Sequence, residues 1–337
     1  MQKKHLIFGS GLIGSYLAGC FHLQKNLVYL FGRDSSKAAF SNGFIISDLD
    51  NNSYQSNDQL QFVELEKSQT FDVIWLTVKC TSLDSVIAPL RSFVKPSSII
   101  ICCQNGFGSE QVIKNAFVNN TVLSAVVGFN VVVDKTNDKE NHWHRSTDGT
   151  FVIQASHDTR DFDKYLQSKL LPIRLSDDIE AERWAKLQLN LANAVNALAD
   201  VPIKQMLENR NYRLIIAQLM RELLSVTNAL NLDLPKVSAV HGKHIPTIMS
   251  LPNFIFKRLA QKMLAIDPQA RTSMWQDLND ERLTEIDFIN GAISNNAKKF
   301  KLRTPYNDAI TSLIKSVECG KETIGLTADQ LKAKLNI

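Results

Sequence analysis

Three polar side chains in the second half of the chain recur at helical spacing and could carry chemistry. Lys186, Asn190 and Asn193 fall at positions i, i+4 and i+7, so a helix would place them on one side. Leu187 and Leu191 belong to its apolar side. Polar groups flanked so closely by apolar ones lie at least partly buried, where they need partners or a substrate, and a partly desolvated lysine is suited to deliver a proton. A solvated stripe on a surface helix would show the same pattern.

A second group of polar residues lies within Ser273–Asp277 and Leu283–Gly291. Glu285 in the later segment adjoins a helical apolar run and could supply a carboxylate to a site. An acid in such a position is more often solvated, or part of a first helical turn where it complements the helix dipole. This pattern alone therefore does not assign Glu285 a chemical role.

The N-terminal stretch runs from apolar residues into three glycines at the spacing G-x-G-x-x-G, as Gly9-Ser10-Gly11-Leu12-Ile13-Gly14, and an amphipathic run follows. Strand, glycine turn and helix in this order are typical of dinucleotide binding. Gly9 would permit the tight turn, Gly11 would let a pyrophosphate approach, and Gly14 would let the helix pack against the strand. The helix would offer free N–H groups to the phosphates. A glycine turn without a ligand is the alternative.

The residues after the second predicted strand distinguish NADP from NAD. Arg33 follows this strand directly after Gly32, and a guanidinium can bind the 2′-phosphate of NADP with two parallel hydrogen bonds. Asp34 stands where an acid could instead accept hydrogen bonds from the ribose of NAD. Arg33 is nearer the strand end, and Ser35, Ser36 and Lys37 surround it. We therefore predict NADP (as NADPH) as the cofactor.

The first half of the chain alternates apolar runs with helical stretches. The main predicted strands are His5–Phe8, Leu27–Phe31, Asp72–Thr77, Ser98–Cys103 and Val122–Val127. They are continuously apolar, which is expected where helices cover both faces of a doubly wound parallel sheet, an α/β fold of Rossmann type. Ligands bind at the carboxyl ends of such strands. Lys79 and Asn105 follow two of them and would lie at that edge.

Less regular sequence patterns predict two shorter features in the first half of the chain. Phe44–Ser47 and Gln61–Val63 are expected to form a small side pairing. Asp148-Gly149 before Phe151–Ile153 predicts a hairpin that closes the first domain.

The rest of the chain has a predominantly helical pattern. A long helix is predicted from about residue 178 to residue 199, and Thr327 and Gln330 predict a capped extra helix in the C-terminal tail. We therefore expect an NADP-binding domain over residues 1–175 and an all-helical domain over residues 176–337.

Size and composition are ordinary for a globular protein. The 337 residues allow two domains, and 44% of them are apolar. The net charge of +4 does not indicate a nucleic-acid partner. No apolar run is long enough for a membrane span, and the N-terminus leads into a strand rather than a cleavage site, so we expect a cytoplasmic protein. The five cysteines lack a C-x-x-C pair and predict reduced thiols, and no metal site is expected.

Over nearly its whole length the chain resembles the ketopantoate reductase (2-dehydropantoate 2-reductase) family. The resemblance rests on the glycine stretch and on these segments: Leu76-Thr77-Val78-Lys79, Gln104-Asn105-Gly106, Trp184-Ala185-Lys186-Leu187 with Asn190, and Ser273-Met274 through Thr284-Glu285-Ile286-Asp287. The last group is the most specific. The resemblance implies a Rossmann domain followed by an all-helical domain, with the site between them. It also implies NADPH-dependent reduction of ketopantoate to pantoate, a step of pantothenate and coenzyme A biosynthesis.

The resemblance also implies roles for individual residues. Lys186 would be the general acid for the ketone oxygen, and Glu285 would hydrogen-bond the substrate hydroxyl and hold the polar network. Asn190 and Ser273 would bind the polar groups of the substrate. Asn105 would lie between nicotinamide and substrate, and Lys79 would line the cofactor cleft.

One position departs from the family pattern. The further asparagine that the family usually has about two turns after the lysine is Ala194 here, with Asn193 and Asn196 on either side. We take Asn193 as a substrate-binding candidate, and leave open whether it or Asn196 replaces the missing amide.

Three functions remain: reduction of ketopantoate, reduction of another small 2-keto acid, and dinucleotide binding without catalysis. The sequence also leaves open whether the protein is a monomer or a homodimer.

Overall fold

The computed structural model describes residues 2–66, 69–134, 141–237, 240–264 and 267–336. The chain divides into two compact units, Met1–Ile179 and Glu180–Ile337. The boundary falls a few residues after the one predicted from the sequence, because the strand Ile173–Ser176 still belongs to a sheet of the first unit.

Twelve strands and five α-helices build the described part of the first unit. The strands are β1 (Lys4–Phe8), β2 (Leu27–Phe31), β3 (Phe44–Asp48), β4 (Ser53–Ser56), β5 (Gln61–Phe62), β6 (Phe71–Leu76), β7 (Val94–Cys102), β8 (Thr121–Val127), β9 (Val131–Val133), β10 (His142–Arg145), β11 (Phe151–Gln154) and β12 (Ile173–Ser176). The helices are α1 (Leu12–Leu23), α2 (Asp34–Ala39), α3 (Leu83–Arg91), α4 (Ser109–Ala116) and α5 (Phe162–Leu166).

The main sheet has the strand order β12-β11-β8-β7-β6-β1-β2-β5. From β5 to β8 all neighbours are parallel, which confirms the predicted parallel sheet, whereas β11 joins β8 in antiparallel orientation. The central strands are buried along most of their length, as Ile7, Ile74 and Ile100 illustrate with no exposed surface. Their continuous apolar sequence therefore reflects burial of both sheet faces.

A second sheet of order β4-β3-β10-β9 packs against α1. Gly19 of α1 makes this close approach possible, because a Cβ there would lie 3.0 Å from a side-chain carbon of Ile46 on β3.

The predicted side pairing was wrong: β3 pairs with β4 and β10, whereas β5 extends the main sheet beside β2. The predicted hairpin at Gly149 was also wrong, because β10 and β11 on either side of it belong to different sheets.

The second unit is helical apart from a two-stranded pairing of β13 (Lys236–Val237) and β14 (Val240–His241) in its described part. Its helices are α6 (Ile179–Asn190), α7 (Ala192–Ala199), α8 (Ile203–Glu208), α9 (Arg210–Ala229), α10 (Ile245–Ser250), α11 (Asn253–Leu259), α12 (Gln261–Leu264), α13 (Ser273–Asn279), α14 (Asn290–Lys299), α15 (Pro305–Glu318) and α16 (Ala328–Leu335). None of the helices in the described ranges is long and apolar enough to cross a membrane.

The long helix predicted from residue 178 to residue 199 is two helices, α6 and α7, separated at Leu191. Leu191 keeps right-handed helical angles (φ −60°, ψ −24°), so the interruption is a local irregularity. The predicted C-terminal helix is confirmed as α16. Thr327 and Gln330 form its capping box, and the helix packs on α9 and α15 of its own unit.

The side chain of Arg213 on α9 has no exposed surface and forms hydrogen bonds at the ends of several helices of this unit. Its guanidinium donates to the carbonyl oxygens of Leu207 (2.8 Å), Met249 (3.0 Å) and Leu251 (2.6 Å). A further bond reaches Asn253 Oδ1 at 3.0 Å. These acceptors lie at the ends of α8, α10 and α11, so one side chain satisfies carbonyls that helix termini leave without intrahelical partners.

Candidate functional site

In the first unit, the carboxyl ends of the central strands are aligned. Phe8, the last residue of β1, pairs with Phe31 of β2 and with Leu76 of β6, and Leu76 pairs with Cys102 of β7. The segments that follow these strands therefore start at one edge of the sheet. This is the edge where the sequence predicted cationic and amide groups to collect.

The glycine turn begins directly after β1. Gly9 has a positive φ of +120°, which a side chain would strain. A Cβ on Gly14 would lie 1.9 Å from the Gly9 carbonyl oxygen, so this position requires glycine for close packing of α1 on the turn. A Cβ on Gly11 would meet no atom of the described residues within 4 Å apart from its own chain neighbours. The turn therefore has the close internal packing and the open outer side that a bound pyrophosphate requires.

The turn leads into α1 with the N-terminal N–H groups of that helix uncapped by any side chain in the described part of the chain. Ser10 is buried, Leu12 is exposed and Ile13 is half-buried at this end. Thr77, just after β6, donates its hydroxyl to the Gly9 carbonyl oxygen at 2.7 Å. The sequence reasoning did not single out Thr77 as a support of the turn, although it lies in a segment that carries the family resemblance.

Arg33 follows β2 and is exposed at the start of α2. Its guanidinium has no hydrogen-bond or ion-pair partner among the residues that the structure describes, so it is available to a ligand. Lys37 differs, because its Nζ is 3.0 Å from Glu64 Oε1. The predicted basic surroundings of Arg33 are therefore partly neutralised.

Ser36 ties this segment to the glycine turn. Its hydroxyl lies 2.8 Å from Ser10 Oγ and donates to the Ser10 carbonyl oxygen at 3.1 Å. Ser10 Oγ also accepts from the backbone N–H of Arg33 at 3.2 Å. Sequence reasoning grouped Ser36 with possible phosphate contacts and did not find this connection, because it depends on two segments folding against each other.

Lys79 and Asn105 follow β6 and β7 at the same edge. Lys79 is exposed and Asn105 is half-buried. The thiol of Cys80 donates to the Asn105 carbonyl oxygen at 3.4 Å, so the two loops are in contact. The first unit therefore brings the glycine turn, Arg33, Lys79 and Asn105 to neighbouring strand ends.

In the second unit, Lys186 and Asn190 lie on the last two turns of α6. Lys186 is half-buried, and burial lowers the pKa of its ammonium group below the ordinary value. Asn190 is 8% exposed, and its Nδ2 is a buried donor without a partner in the described part of the chain. A lysine that holds its proton less tightly and an unsatisfied amide are typical of a binding site rather than of a solvated helix stripe.

The two asparagines beside Ala194 differ in their surroundings. Ala194 has no exposed surface and belongs to the core. Asn196 is also fully buried, and both ends of its amide are used: Nδ2 donates to the Val201 carbonyl oxygen, and Oδ1 accepts from Thr272. The side chain of Asn193 is half-buried and makes no hydrogen bond with the described residues. Asn193 therefore has the amide that is free for a ligand.

Ser273 lies on α13, which packs on α7, whereas Glu285 lies directly before a 3-10 turn that packs on α14 and α15. Ser273 is exposed at the first position of α13, and the preceding Thr272 contacts Asn193 and Asn196 of α7. Glu285 precedes the 3-10 turn Ile286–Phe288 and is only 9% exposed, so it is not a solvated acid. Within the described ranges, no group of three or more His, Cys, Asp or Glu residues is arranged to hold a metal ion.

Comparisons with known proteins identify the family of the chain. The family described as "Ketopantoate reductase PanE/ApbA" matches residues 5–157, and its C-terminal counterpart matches residues 178–318. The 2-dehydropantoate 2-reductase of Lactococcus lactis is 24% identical over 76% of this chain and 78% of its own length.

Two solved structures have the same fold. The dimeric ketopantoate reductase from Staphylococcus aureus has a TM-score of 0.72 at 24% identity and covers 95% of this chain and 100% of its own. A D-mandelate dehydrogenase bound to NADH and anilino(oxo)acetate has a TM-score of 0.73 at 21% identity, with 94% and 99% covered. Since the two family matches together span most of the sequence, the chain belongs to the ketopantoate reductase family.

Proposed function

We propose that this protein reduces ketopantoate to pantoate with NADPH, a step of pantothenate biosynthesis. One observation carries the proposal: Lys186, with its lowered pKa, lies one helical turn before Asn190, whose buried Nδ2 has no partner among the described residues, in a chain of this family. We further propose that the enzyme acts in the cytoplasm and forms a homodimer, since the ketopantoate reductase from S. aureus that shares its fold is dimeric.

The first unit has groups suited to bind the phosphates of a dinucleotide cofactor. The glycine turn and the N-terminus of α1 would hold the pyrophosphate, Arg33 would bind the 2′-phosphate, and Lys79 and Asn105 would bind farther along the cofactor. When bound, NADPH supplies the hydride, and that chemistry belongs to the cofactor.

The second unit supplies the groups for the keto acid. The ketone oxygen gains negative charge during reduction, so an ammonium group at Lys186 stabilises it and then donates a proton to it. Asn190, Asn193 and Ser273 would bind the polar groups of the substrate. Glu285 would orient the substrate hydroxyl.

A second candidate is reduction of a different small 2-keto acid. It is favoured by Ala194, which removes an amide that the family usually has, and by the structural neighbour that bears the name D-mandelate dehydrogenase. A panel of 2-keto acids that includes ketopantoate, with NADPH oxidation as the readout, separates the two through kcat/KM. NADPH that binds tightly but is oxidised by no keto acid on the panel would contradict both candidates.

For Arg33→Ala, we expect NADPH to bind about 10- to 100-fold more weakly, since hydrogen bonds to charged groups contribute about 1.5–3 kcal/mol. NADH lacks the 2′-phosphate, so its affinity should change little. Fluorescence titration with both cofactors measures the difference. Lys37→Ala is the matched control, because Glu64 already pairs with Lys37. Equal weakening of NADPH and NADH by Arg33→Ala would remove Arg33 from the phosphate site.

For Glu285→Ala, we expect KM for the keto acid to rise and kcat to fall, each by about tenfold, because a hydrogen bond to a charged group contributes to both binding and orientation. Asp287→Ala is the control: Asp287 lies in the same segment, but it is exposed and pairs with Lys315 at 2.6 Å. Steady-state kinetics on both variants check the assignment. Wild-type constants in Glu285→Ala would exclude it from the site.

A further inference from the structure

The C-terminal half of α7 holds the start of α13 through two polar contacts, one on each side of Ser273. On one side, Asn196 Oδ1 accepts from both the backbone N–H and the hydroxyl of Thr272, at 3.1 Å each. On the other side, Asp200 Oδ1 accepts from Trp275 Nε1 at 2.7 Å. Ser273 lies between these two attachment points, so its backbone is fixed relative to α7.

Thr272 occupies the N-cap position of α13, and its hydroxyl has three polar neighbours. Its hydroxyl oxygen accepts from the Trp275 N–H at 3.3 Å, which caps the helix. The same hydroxyl lies 3.5 Å from the Asn193 carbonyl oxygen and 3.1 Å from Asn196 Oδ1. The residue before Ser273 is thus bonded to the turn of α7 that carries Asn193.

Arg271 strengthens the second contact. Its Nη1 donates to Asp200 Oδ1 at 2.6 Å, and its guanidinium lies 4.3 Å from the Trp275 ring centroid. Asp200 ends α7 in the left-handed conformation (φ +51°), which directs the chain away from the helix axis after this contact. Residues 271–275 are therefore attached to α7 at several points, although Ser273 itself is exposed.

We propose that Asn196 and Thr272 are positioning residues that set the distance between Asn193 and Ser273, so that both can bind one keto acid. This inference rests on the proposed function. Asn196 is not itself a substrate ligand, because its amide is fully buried and its donor and acceptor are both engaged by the protein. Its role is to act through Thr272.

The test uses Thr272→Val in the full chain, which keeps the side-chain shape and removes the hydroxyl. We expect KM for ketopantoate to rise about tenfold, with kcat and the NADPH dissociation constant changing by less than about twofold. Thr272→Ser retains the hydroxyl and should restore KM. In a Ser273→Ala background the effect of Thr272→Val should largely disappear, because the positioned group is then gone.

Thr327→Val is the matched control for lost helix capping, since Thr327 caps α16 in the same way. It should lower thermal stability and leave KM unchanged. Additive effects of Thr272→Val and Ser273→Ala, or a wild-type KM in Thr272→Val, would overturn the inference while leaving an active wild-type enzyme.

Amide hydrogen exchange tests the same idea without turnover. Faster exchange of the Trp275 N–H in Thr272→Val, restored in Thr272→Ser, is expected. Wild-type exchange in Thr272→Val would overturn the positioning role whatever the activity. A wild-type protein that reduces no keto acid would refute the proposed function, and with it the substrate part of the inference.

Discussion

Lys186→Ala is expected to lower kcat by at least about 100-fold while NADPH binds almost normally. The loss follows from removal of the group that donates a proton to the ketone oxygen, a role whose removal typically costs about 100- to 10,000-fold. NADPH affinity should persist because the residues assigned to the cofactor belong to the first unit. Steady-state kinetics and a fluorescence titration of NADPH measure the two effects separately.

The pH profile gives this prediction a second readout. Burial lowers the pKa of Lys186, and a general acid works only in its protonated form. In the wild type, kcat should therefore fall as the pH rises through this lowered pKa, below the range of an ordinary lysine. This decrease of kcat with rising pH should be absent from the residual activity of Lys186→Ala.

Two further variants separate proton donation from charge. Lys186→Arg keeps the positive charge but cannot release a proton near neutral pH, so it should remain strongly impaired. Lys204→Ala removes another half-buried lysine of the same unit and should leave kcat unchanged. A Lys186→Ala enzyme with wild-type kcat would refute the proposed mechanism.

Arg213→Met is expected to destabilise the protein by about 3–5 kcal/mol, because each buried acceptor left without a donor costs about 1–3 kcal/mol. Methionine fills a similar volume but leaves the carbonyl oxygens of Leu207, Met249 and Leu251 without their donor. It also removes the contact of the guanidinium with the Phe256 ring, whose centroid is 4.0 Å away. Calorimetry and urea unfolding measure the loss.

Arg210→Met is the matched control for this prediction. Arg210 lies one turn earlier on α9 and donates to the Ser250 carbonyl oxygen at 3.1 Å, but it is exposed. Its removal should cost less than about 1 kcal/mol. If Arg213→Met yields too little folded protein, Arg213→Lys keeps the charge without the planar fork and should still be destabilised. Equal effects at both arginines would show that burial of Arg213 does not determine stability.

Local sequence patterns predicted the elements of the candidate site well. The five main strands, the glycine turn and the capped helix α16 occur where periodicity and capping residues predicted them. The predicted polar face of α6 and α7 contains a lysine with a lowered pKa and an unsatisfied amide. Glu285, for which the sequence pattern favoured a solvated position, is buried.

The mistaken predictions concern which segments meet. Gly149 looked like the turn of a hairpin, but β10 and β11 pair in separate sheets. Strand periodicity reports which face is buried and does not name the partner strand. The choice between Asn193 and Asn196 was open for the same reason, because Thr272, far along the chain, engages the side-chain amide of Asn196 but not that of Asn193.

The sequence by itself determined the parallel sheet, the dinucleotide turn and the helix that carries Lys186, because glycine spacing and apolar periodicity act over a few neighbouring residues. Only the tertiary structure decided that the amide of Asn193 is free while that of Asn196 is engaged, and that Arg213 rather than Arg210 is buried among the helix ends. Those distinctions depend on hydrogen bonds between residues distant in sequence. Asn193 and Asn196 have the same local pattern in the sequence, and so do Arg210 and Arg213, so local patterns do not distinguish them.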